Sequence, residues 1–462
     1  MARSHLYEST LRRMPSSTSG RRGLCRALRS RRAVVAAGLA PLVVARHVLG
    51  GVGYQAPSDK LRIAAVGVGG VGGDYVIGCK SEEIVALCDL DPEYAAPVFK
   101  LYPKAKIYKD FRQMFDKERK NFDALIVATP DHWHSHLVLA GLAMNKHIYC
   151  AKPMTRAIAE ARRAKAAALA SKATTKASIQ DSRSSPARAT TELLLSGAIG
   201  PIREVHFWTG THSPSGLARP KEVQTPPAGM NWDQWCGPSP ARPYHEMYHY
   251  GNWRPWWDFG TGNLGDVACH ALHVFHDELE MGAPDWVAAD ACQAFSPGGV
   301  VENSECASIA NYVQWHFPAR GKHPEMMAYF YDGGLQPPRP LSMRPEVGMP
   351  GRGMMFVGEK GVQVSAFYGG LLGTATLRRY STPGERGTTG WGRNGRSDSA
   401  DVWSTTGGAH PGVWEPGGAD APRYWRSSKV LLWDSKAMKF SNDEVANGLV
   451  DMPYRKEWDY KV

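Results

Sequence analysis

Four uninterrupted apolar runs, separated by segments of helical character, dominate the hydrophobic pattern between residues 60 and 155. The runs are IAAV, IVALC, FDALIVA and HIYCA. A strand of a parallel sheet is buried on both faces, so it reads as a continuous apolar run. Asp110 predicts a helix start within Tyr108–Arg119, and Asp131 predicts an N-cap for a helix over about Ser135–Met144. This βα rhythm predicts an α/β fold with a doubly wound parallel sheet.

The first run leads directly into Gly67-x-Gly69-x-x-Gly72, and the second run closes on Asp89. Glycines at these positions allow a tight turn, close approach of the backbone to a pyrophosphate and close packing of the next helix. A carboxylate after the second strand accepts hydrogen bonds from a ribose and repels a 2′-phosphate, which favours NAD over NADP. A plain glycine turn is the alternative, but the flanking strands and the acid favour dinucleotide binding. The residues expected to contact the cofactor here are Gly67, Gly69, Gly70, Val71, Gly72 and Asp89.

Further candidate cofactor contacts follow the third and fourth runs. Parallel α/β sheets bind ligands outside the carboxyl ends of their strands. The turn TPDHWH and the lysine of the Lys-Pro dipeptide stand at such ends. The residues expected at the cleft are Thr129, Pro130, His132, Trp133, His134 and Lys152.

A chain of 462 residues is too long to fold around a single hydrophobic core, so the length predicts two domains plus tails. We expect a signal and linker over 1–58, a Rossmann domain over 59–180 and a substrate and oligomerisation domain over 181–462. Residues 369–427 are rich in Gly, Ser, Thr, Arg and Pro, which predicts an irregular insert. The net charge of +11 does not indicate nucleic acid binding, because many of the arginines lie in the first 32 residues.

Arg31 and Arg32 precede a short apolar stretch, AVVAAGLAPLVVA, that ends in small residues. This pattern is typical of a twin-arginine export signal and is too short for a stable membrane span. It predicts export to the periplasm; a basic tail on a cytoplasmic protein is the alternative. A pathway that exports folded proteins also suits a chain that folds around NAD.

The eight cysteines are scattered, without CxxC pairs or metal-ligand spacing, so we expect neither a disulfide framework nor a metal cluster of thiols. His270, His273 and His276 recur every three residues. That spacing drifts around a helix, so their rings do not converge, and no metal is expected.

Taken together, the glycine fingerprint, the TPDHWHSH turn and the Lys-Pro dipeptide resemble the glucose-fructose oxidoreductase and inositol dehydrogenase family (Gfo/Idh/MocA). The blocks NWDQWCGP, WWDFGTGNLGD and the terminal LLWDSKAMKFSNDEVANGLVDMPYRKEW extend the resemblance, which is strongest to its exported members. It implies a Rossmann domain followed by an α/β domain with an open, largely antiparallel sheet. It also implies pairing of subunits through that sheet.

The resemblance implies a catalytic group made of Lys152, Asp266 and His270. Oxidation of an alcohol by hydride transfer needs a base for the hydroxyl proton and a cation for the developing alkoxide. We assign the proton to His270 and an electrostatic or relay role to Lys152, with Asp266 orienting the histidine or binding a neighbouring hydroxyl. The alternative is that Lys152 is a surface lysine, Asp266 a helix N-cap and His270 a hydrogen-bonded core histidine. Ala151 departs from the family by replacing the glutamate before the lysine.

Aromatic residues are dense from Asn231 to Phe259, and such rings suit the C–H faces of a sugar. Most of them are expected to pack in the core. The residues of this segment expected to contact substrate are Tyr248, Trp253 and Arg254. The resemblance adds His273, which stands where many members of the family have aspartate.

The sequence therefore predicts an NAD-dependent oxidoreductase of a sugar, polyol or glycoside. One alternative is a redox-neutral lyase or hydrolase that works through a transient 3-keto sugar, since an exported enzyme exchanges NAD poorly with a soluble pool. The other alternative is a catalytically weak sugar-binding relative.

Overall fold

A computed structural model describes residues 59–179, 185–210, 214–249, 251–276, 279–301, 304–343, 345–366, 429–452 and 454–458. The described residues from Lys60 onward belong to one compact unit. The predicted export signal and the predicted insert over 369–427 lie outside the described residues, and the domain boundary near residue 180 stays a prediction.

The N-terminal half contains a six-stranded sheet in which every pairing is parallel. Its strands are β1 Arg62–Val66, β2 Glu83–Cys88, β3 Lys106–Tyr108, β4 Ala124–Val127, β5 His147–Ala151 and β6 Thr175–Ser178. The order is β3-β2-β1-β4-β5-β6, so the chain reverses direction across the sheet between β1 and β4. The apolar runs thus form the predicted doubly wound sheet, and the crevice between β1 and β4 is where such a sheet binds a ligand.

Helices connect these strands: α1 Val71–Gly78, α2 Ala96–Leu101, α3 Phe111–Glu118, α4 Asp131–Ala143 and α5 Ile158–Ala170. The side chain of Asp110 accepts a hydrogen bond from the Arg112 backbone N–H at 2.8 Å, which confirms the predicted helix start. The prediction for Asp131 is wrong. Pro130 occupies the N-cap of α4, and Asp131 is the first helical residue, with its carboxylate turned to another partner.

The C-terminal half is built on an eight-stranded sheet of order β14-β13-β7-β12-β11-β8-β15-β16. All of its pairings are antiparallel except that of β7 with β12, so the predicted largely antiparallel sheet is confirmed. Its strands are β7 Ile202–Trp208, β8 Trp286–Cys292, β11 Ala310–Phe317, β12 Met326–Tyr331, β13 Gly353–Gly358, β14 Gly361–Ala366, β15 Leu431–Asp434 and β16 Lys439–Phe440, with a separate hairpin of β9 Phe295–Ser296 and β10 Gly299–Val300.

Helices pack against one face of this sheet around buried residues such as Phe207, Val313 and Phe330. They are α6 Ser185–Leu195, a π-helix Leu264–Ala268, α8 Cys269–His276 and α9 Glu444–Asn447. Outside this core, α7 Trp232–Cys236 and a 3₁₀ turn Glu246–Tyr248 share a separate aromatic cluster, and a 3₁₀ turn Lys456–Trp458 packs into the core of the N-terminal half. Asp443 caps α9 through a hydrogen bond from the Ala446 N–H at 2.8 Å. Asn442, which as an asparagine directly before DEVANGLV is the N-cap that the sequence predicts, instead bonds to the backbone beside β15, so this prediction is wrong by one residue.

Across the described ranges, no helix has the length and apolar character that crossing a membrane requires. All seven cysteines in these ranges are free thiols, and most of them are buried.

Candidate active site

A cleft of about 420 Å³ opens at the carboxyl ends of β1, β4 and β5. The glycine loop, the turn after β4 and Lys152 form one wall. The opposite wall comes from the aromatic segment, with Met230, Gln234, His249 and Arg254 among its lining residues. The volume of the cleft lies in the usual range of ligand pockets.

Packing at the glycine loop excludes side chains. Gly67 has φ +79°, and a Cβ there would lie 2.7 Å from the Ala128 backbone. A Cβ on Gly72 would lie 1.8 Å from the Gly67 carbonyl oxygen. Gly67, Gly69, Gly70 and Val71 line the cleft, whereas Gly72 is buried beneath the turn. The loop thus has the close backbone packing that dinucleotide binding requires, and Gly72 acts by allowing it.

Asp89 lies beside this loop on the cleft wall. Its Oδ2 accepts hydrogen bonds from the backbone N–H groups of Val68 at 2.7 Å and Gly69 at 2.9 Å, and its Oδ1 accepts one from Asp91 at 3.0 Å. Burial raises the pKa of Asp89, and these backbone donors oppose the rise. A carboxylate has about four acceptor positions, so one remains for a ribose hydroxyl.

The TPDHWH turn divides into residues that line the cleft and residues that support it. Thr129, Pro130, Trp133 and His134 line the cleft. His132 is not among the described residues of its wall, and its ring nitrogens lie 3.3 Å from the Phe259 carbonyl and 2.8 Å from the Trp235 carbonyl. We therefore replace the predicted cofactor contact of His132 by a supporting role between the two walls.

His134 links the turn to the Lys-Pro dipeptide. Its ring nitrogens lie 2.6 Å from the Pro153 carbonyl and 2.7 Å from the Thr129 carbonyl. Burial lowers the pKa of His134. Because its two ring nitrogens contact the carbonyls of Thr129 and Pro153, the ring fixes the spacing between the end of β4 and Lys152.

Lys152 and Asp266 meet where the two halves of the chain join. The Lys152 Nζ forms a salt bridge with the Asp266 carboxylate and donates to the Asp266 carbonyl at 2.7 Å. Arg254 Nε lies 3.4 Å from the same carboxylate. Burial opposes the charge of Lys152, but Asp266 outweighs that effect and raises the Lys152 pKa. The lysine is thus held as a cation beside the cleft.

A π-helix carries Asp266, and α8 continues it through His270. Single turns of π-helix often occur at functional sites. His270 is 4% exposed and is not among the described residues that line the cleft. His273 lies within α8, but its side chain falls outside the described residues.

The aromatic segment contains both core and cleft residues. Tyr248 is 2% exposed and packs against Trp256 and the Arg242 guanidinium, so the structure assigns it to the core rather than to the predicted substrate contact. Trp253 and Arg254 line the cleft, with the Arg254 guanidinium 4.6 Å above the Trp253 ring. These two remain the candidates for substrate contact.

Several functional positions escape the sequence patterns. The sequence pattern predicts Asp131 as a helix N-cap, but the residue lines the cleft. Tyr94 lies against Gly69, where an added Cβ would approach its ring to 2.3 Å. Met230, Gln234 and His249 reach the cleft from the other half of the chain. Only the position of Asp131 after a strand end offered a signal.

A metal-binding arrangement of three or more His, Cys, Asp or Glu side chains does not occur within the described ranges.

Known proteins that resemble this chain include dehydrogenases. The inositol 2-dehydrogenase of Pseudomonas fluorescens is 30% identical over 109 residues, which is 22% of this chain and 32% of that enzyme. That of Salmonella typhimurium is 27% identical over 108 residues, with the same shares. The chain thus matches about a third of the length of these curated relatives. A solved structure, the WlbA dehydrogenase from Bordetella pertussis in complex with NADH and UDP-GlcNAcA, covers 70% of this chain and 83% of its own at 17% identity and a TM-score of 0.49.

Two family descriptions match in chain order. Residues 61–177 match "Oxidoreductase family, NAD-binding Rossmann fold", and residues 204–292 match "Oxidoreductase family, C-terminal alpha/beta domain". The first match confirms the predicted Rossmann fold and NAD as its cofactor. These two matches show that the chain carries, in this order, the NAD-binding domain and the C-terminal domain that characterise the Gfo/Idh/MocA family of oxidoreductases.

Proposed function

We propose that this protein oxidises a hydroxyl group of a sugar, polyol or glycoside by hydride transfer to NAD. The observation that carries the proposal is the Lys152–Asp266 pair at the end of β5, beside the cleft that the glycine loop forms. NAD in this cleft would accept the hydride, and the chain's own residues would orient the substrate and stabilise charge.

Lys152 has a clear chemical role in such a reaction. An alcohol that loses hydride develops alkoxide character, and a fixed cation in a water-poor site stabilises it. Asp266 keeps the lysine charged and in place, and Arg254 adds a second cation within 3.4 Å of the same carboxylate. His270 remains the proton acceptor that the sequence predicts.

The substrate class is supported by the relatives and by the cleft. The matched dehydrogenases act, by their names, on inositol, which is a polyol. Trp253 presents an aromatic surface and Arg254 a fork of donors, and this combination suits the C–H face and hydroxyls of a sugar or polyol.

Redox-neutral cleavage of a glycoside is the second candidate. In that reaction the oxidised C3 acidifies the C2 proton, the leaving group is eliminated, water adds and the sugar is reduced again. Residues from both halves of the chain line the cleft, including Met230 and His249 opposite the glycine loop. A cofactor enclosed by both walls would be retained, which a redox-neutral cycle needs. A catalytically weak sugar-binding protein is the third candidate, because Ala151 replaces a carboxylate.

Two further proposals concern the setting of the enzyme. The sequence around Arg31 and Arg32 supports export to the periplasm by a twin-arginine signal. The second face of the eight-stranded sheet carries a cluster in which Tyr312 and Tyr329 are partly exposed over the buried Trp208 and Tyr331, and this aromatic face supports a homo-oligomer.

The test begins with the full chain purified without added cofactor, analysed by absorbance and mass before and after addition of myo-inositol, glucose or a nitrophenyl glycoside. Reduction of NAD with release of a ketone supports net oxidation. Release of nitrophenol without net NADH supports the redox-neutral cycle. If the chain binds no NAD, both the net oxidation and the redox-neutral cleavage are wrong, and only the sugar-binding candidate is left.

Lys152→Met supplies the matched variant, with the exposed Lys100→Met as its control. We expect the Lys152 variant to lower the rate of NAD reduction by roughly 100-fold or more while NAD still binds, because a transition-state cation is lost. The Lys100 variant should behave as wild type. Equal rates in the two variants would contradict the assignment of Lys152.

A further inference from the structure

Asp332 is a buried carboxylate in the C-terminal half that the proposed reaction does not use. It directly follows β12 and is 1% exposed. Its Oδ1 accepts hydrogen bonds from the Asn311 backbone N–H at 2.5 Å and from the Asn311 side-chain amide at 3.0 Å. Its Oδ2 accepts from the side-chain amides of Asn311 at 3.0 Å and of Asn263 at 3.1 Å. The described partners of this carboxylate are thus amide groups, and none of them is a cation.

A carboxylate in this setting lowers the stability of the fold. Burial raises the pKa of Asp332 to about 6, although the hydrogen bonds from Asn311 and Asn263 oppose the rise. Burying a charge without an opposite charge beside it is costly, and carboxylates with such a pKa shift are concentrated at functional sites. The residue that Asp332 holds in place therefore indicates what the buried charge is for.

Asn263 connects Asp332 to the helix that carries Asp266. It directly precedes the π-helix Leu264–Ala268, but its side chain makes no capping hydrogen bond with that helix. Its amide nitrogen instead donates to the Asp332 carboxylate and to the Gly210 carbonyl, each at 3.1 Å. Gly210 follows β7 and Asp332 follows β12, and these two strands pair with each other. Asn263 therefore ties the start of the π-helix to the ends of two neighbouring strands.

The position of the π-helix determines how Asp266 meets Lys152. Asp266 lies three residues after Asn263, and both its carboxylate and its backbone carbonyl bind the Lys152 Nζ, the carbonyl at 2.7 Å. A carbonyl belongs to the main chain, so no rotation of a side chain can restore its contact once the helix has shifted. Groups at an active site have to be held within about 0.5 Å of their working geometry by the residues around them.

We propose that Asp332 and Asn263 are positioning residues, which hold the π-helix where Asp266 can bind Lys152. This rests on the proposed function, in which Lys152 is the cation beside the reacting hydroxyl. Both residues act through Asp266. If the link is lost, Asp266 moves away and its effect on Lys152 weakens. Burial, which lowers the Lys152 pKa, is then less strongly opposed, so more of the lysine becomes a free amine.

The ionisation of Lys152 supplies a readout that needs no substrate. Its side chain is 17% exposed, so a small acylating reagent can reach it. Acetic anhydride reacts with free amines only. Trace labelling of the full chain with this reagent at pH 7, 8 and 9, followed by mass spectrometry, gives the labelling of Lys152 relative to the exposed Lys100. The other titratable groups that face Lys152 are unchanged in every variant below; they are Asp131, Cys269, His134 and Tyr75.

Asn263→Ala removes the link and should raise the relative labelling of Lys152 roughly tenfold, which corresponds to a fall of one pKa unit. Val313→Ala is the matched control. Val313 is fully buried on β11, two residues from Asn311, so this change destabilises the same sheet without removing a hydrogen bond of the network. Its labelling ratio should equal that of wild type. Asn263→Ser replaces the alanine variant if that variant does not fold, because the shorter hydroxyl cannot span both acceptors.

An exchange of the two side chains separates positioning from a general loss of structure. Asn263→Asp alone places two carboxylates side by side and should raise the labelling ratio at least as much as Asn263→Ala. When Asp332→Asn is added, the pair again contains one donor and one acceptor, in exchanged order. The double variant should return most of the change towards the wild-type ratio.

A wild-type labelling ratio in the folded Asn263 variants, or an equal rise in Val313→Ala, would overturn the proposal. A folded double variant that labels as strongly as Asn263→Asp would also overturn it. Circular dichroism follows folding, and fluorescence follows NAD binding, in the same samples. Absence of NAD binding in wild type would refute the proposed function, whereas normal NAD binding with unchanged labelling of Lys152 in the variants would refute only this inference.

Discussion

The two walls of the cleft differ in how far apart along the chain their interacting residues lie. In the first wall, Gly67 and Gly72 meet within one turn, and Asp89 bonds to Gly69 across 20 positions. Where the second wall joins the first, His132 contacts Trp235 across 103 positions and Lys152 contacts Asp266 across 114. The first wall depends on the absence of side chains, whereas the second depends on charges and carbonyl contacts that exist only after the halves have joined. We therefore expect the first wall to tolerate substitution less than the second.

Gly72→Ala should have the largest effect. Its Cβ would lie 1.8 Å from the Gly67 carbonyl oxygen, and backbone there cannot move without distorting the loop. We expect loss of NAD binding and a free energy of unfolding lower by at least about 4 kcal/mol. Fluorescence titration with NAD and urea unfolding measure the two effects.

Gly78→Ala on the same helix is the matched control, because nothing lies within 4 Å of its added Cβ. Its unfolding free energy should stay within about 1 kcal/mol of wild type. Similar losses in both variants would contradict the steric role of the glycine loop.

Asp131 should make stability depend on pH at the junction of the walls. The folded chain binds the Asp131 proton more tightly than the unfolded chain, whose carboxyl has the ordinary pKa of 3.8. This destabilisation is absent below about pH 4 and grows until pH passes the folded value of about 7, to at most about 4 kcal/mol.

Asp131→Asn should therefore stabilise the chain at pH 8 and leave it unchanged at pH 4, as urea unfolding at both values would reveal. The exposed Asp116→Asn serves as control and should change stability by less than about 0.5 kcal/mol at either pH. If Asp131→Asn loses as much stability as wild type between the two values, the raised pKa is not at Asp131.

Gly237→Ala tests the second wall. Gly237 has φ +52°, and its Cβ would lie 2.0 Å from the Trp133 ring, which also lines the cleft. We expect a loss of about 1–3 kcal/mol beyond backbone strain, because the ring can shift where a backbone cannot. Weaker NAD binding should accompany it.

Gly282→Ala isolates the strain, since Gly282 has φ +60° and open space around its Cβ. The difference between the two variants in thermal unfolding measures the contact with Trp133. Equal destabilisation of the two variants would contradict a contribution of the Trp133 contact to stability.

Asp89→Asn should have the smallest effect. The amide oxygen can still accept from Val68 and Gly69, but the charge that repels a 2′-phosphate is lost. We expect the preference for NAD over NADP to fall about tenfold, or roughly 1.4 kcal/mol. Titration with both cofactors measures it, and the exposed Glu93→Gln should keep the wild-type preference.

The structure also corrects particular readings of the sequence. Asp131 and Asn442 both carry the residue types that favour N-caps, but Pro130 and Asp443 take those positions. Local propensity identifies the helix start within a residue and leaves the choice of cap to packing. The predicted substrate contact of Tyr248 is wrong for another reason. A sequence dense in aromatic residues is typical of a core as well as of a binding surface, and Tyr248 lies in the core.

By itself, the sequence determined the parallel sheet, the glycine loop and the lysine at the end of β5. Each depends on interactions between neighbours in the chain: continuous apolar runs, positive φ and strand ends. Tertiary structure alone decided that Lys152 forms a salt bridge with Asp266, that Asp131 shares a buried hydrogen bond with Thr261, and that Trp253 reaches the cleft while Tyr248 does not. These outcomes depend on burial and on charges brought together from distant segments, and no local pattern encodes either quantity.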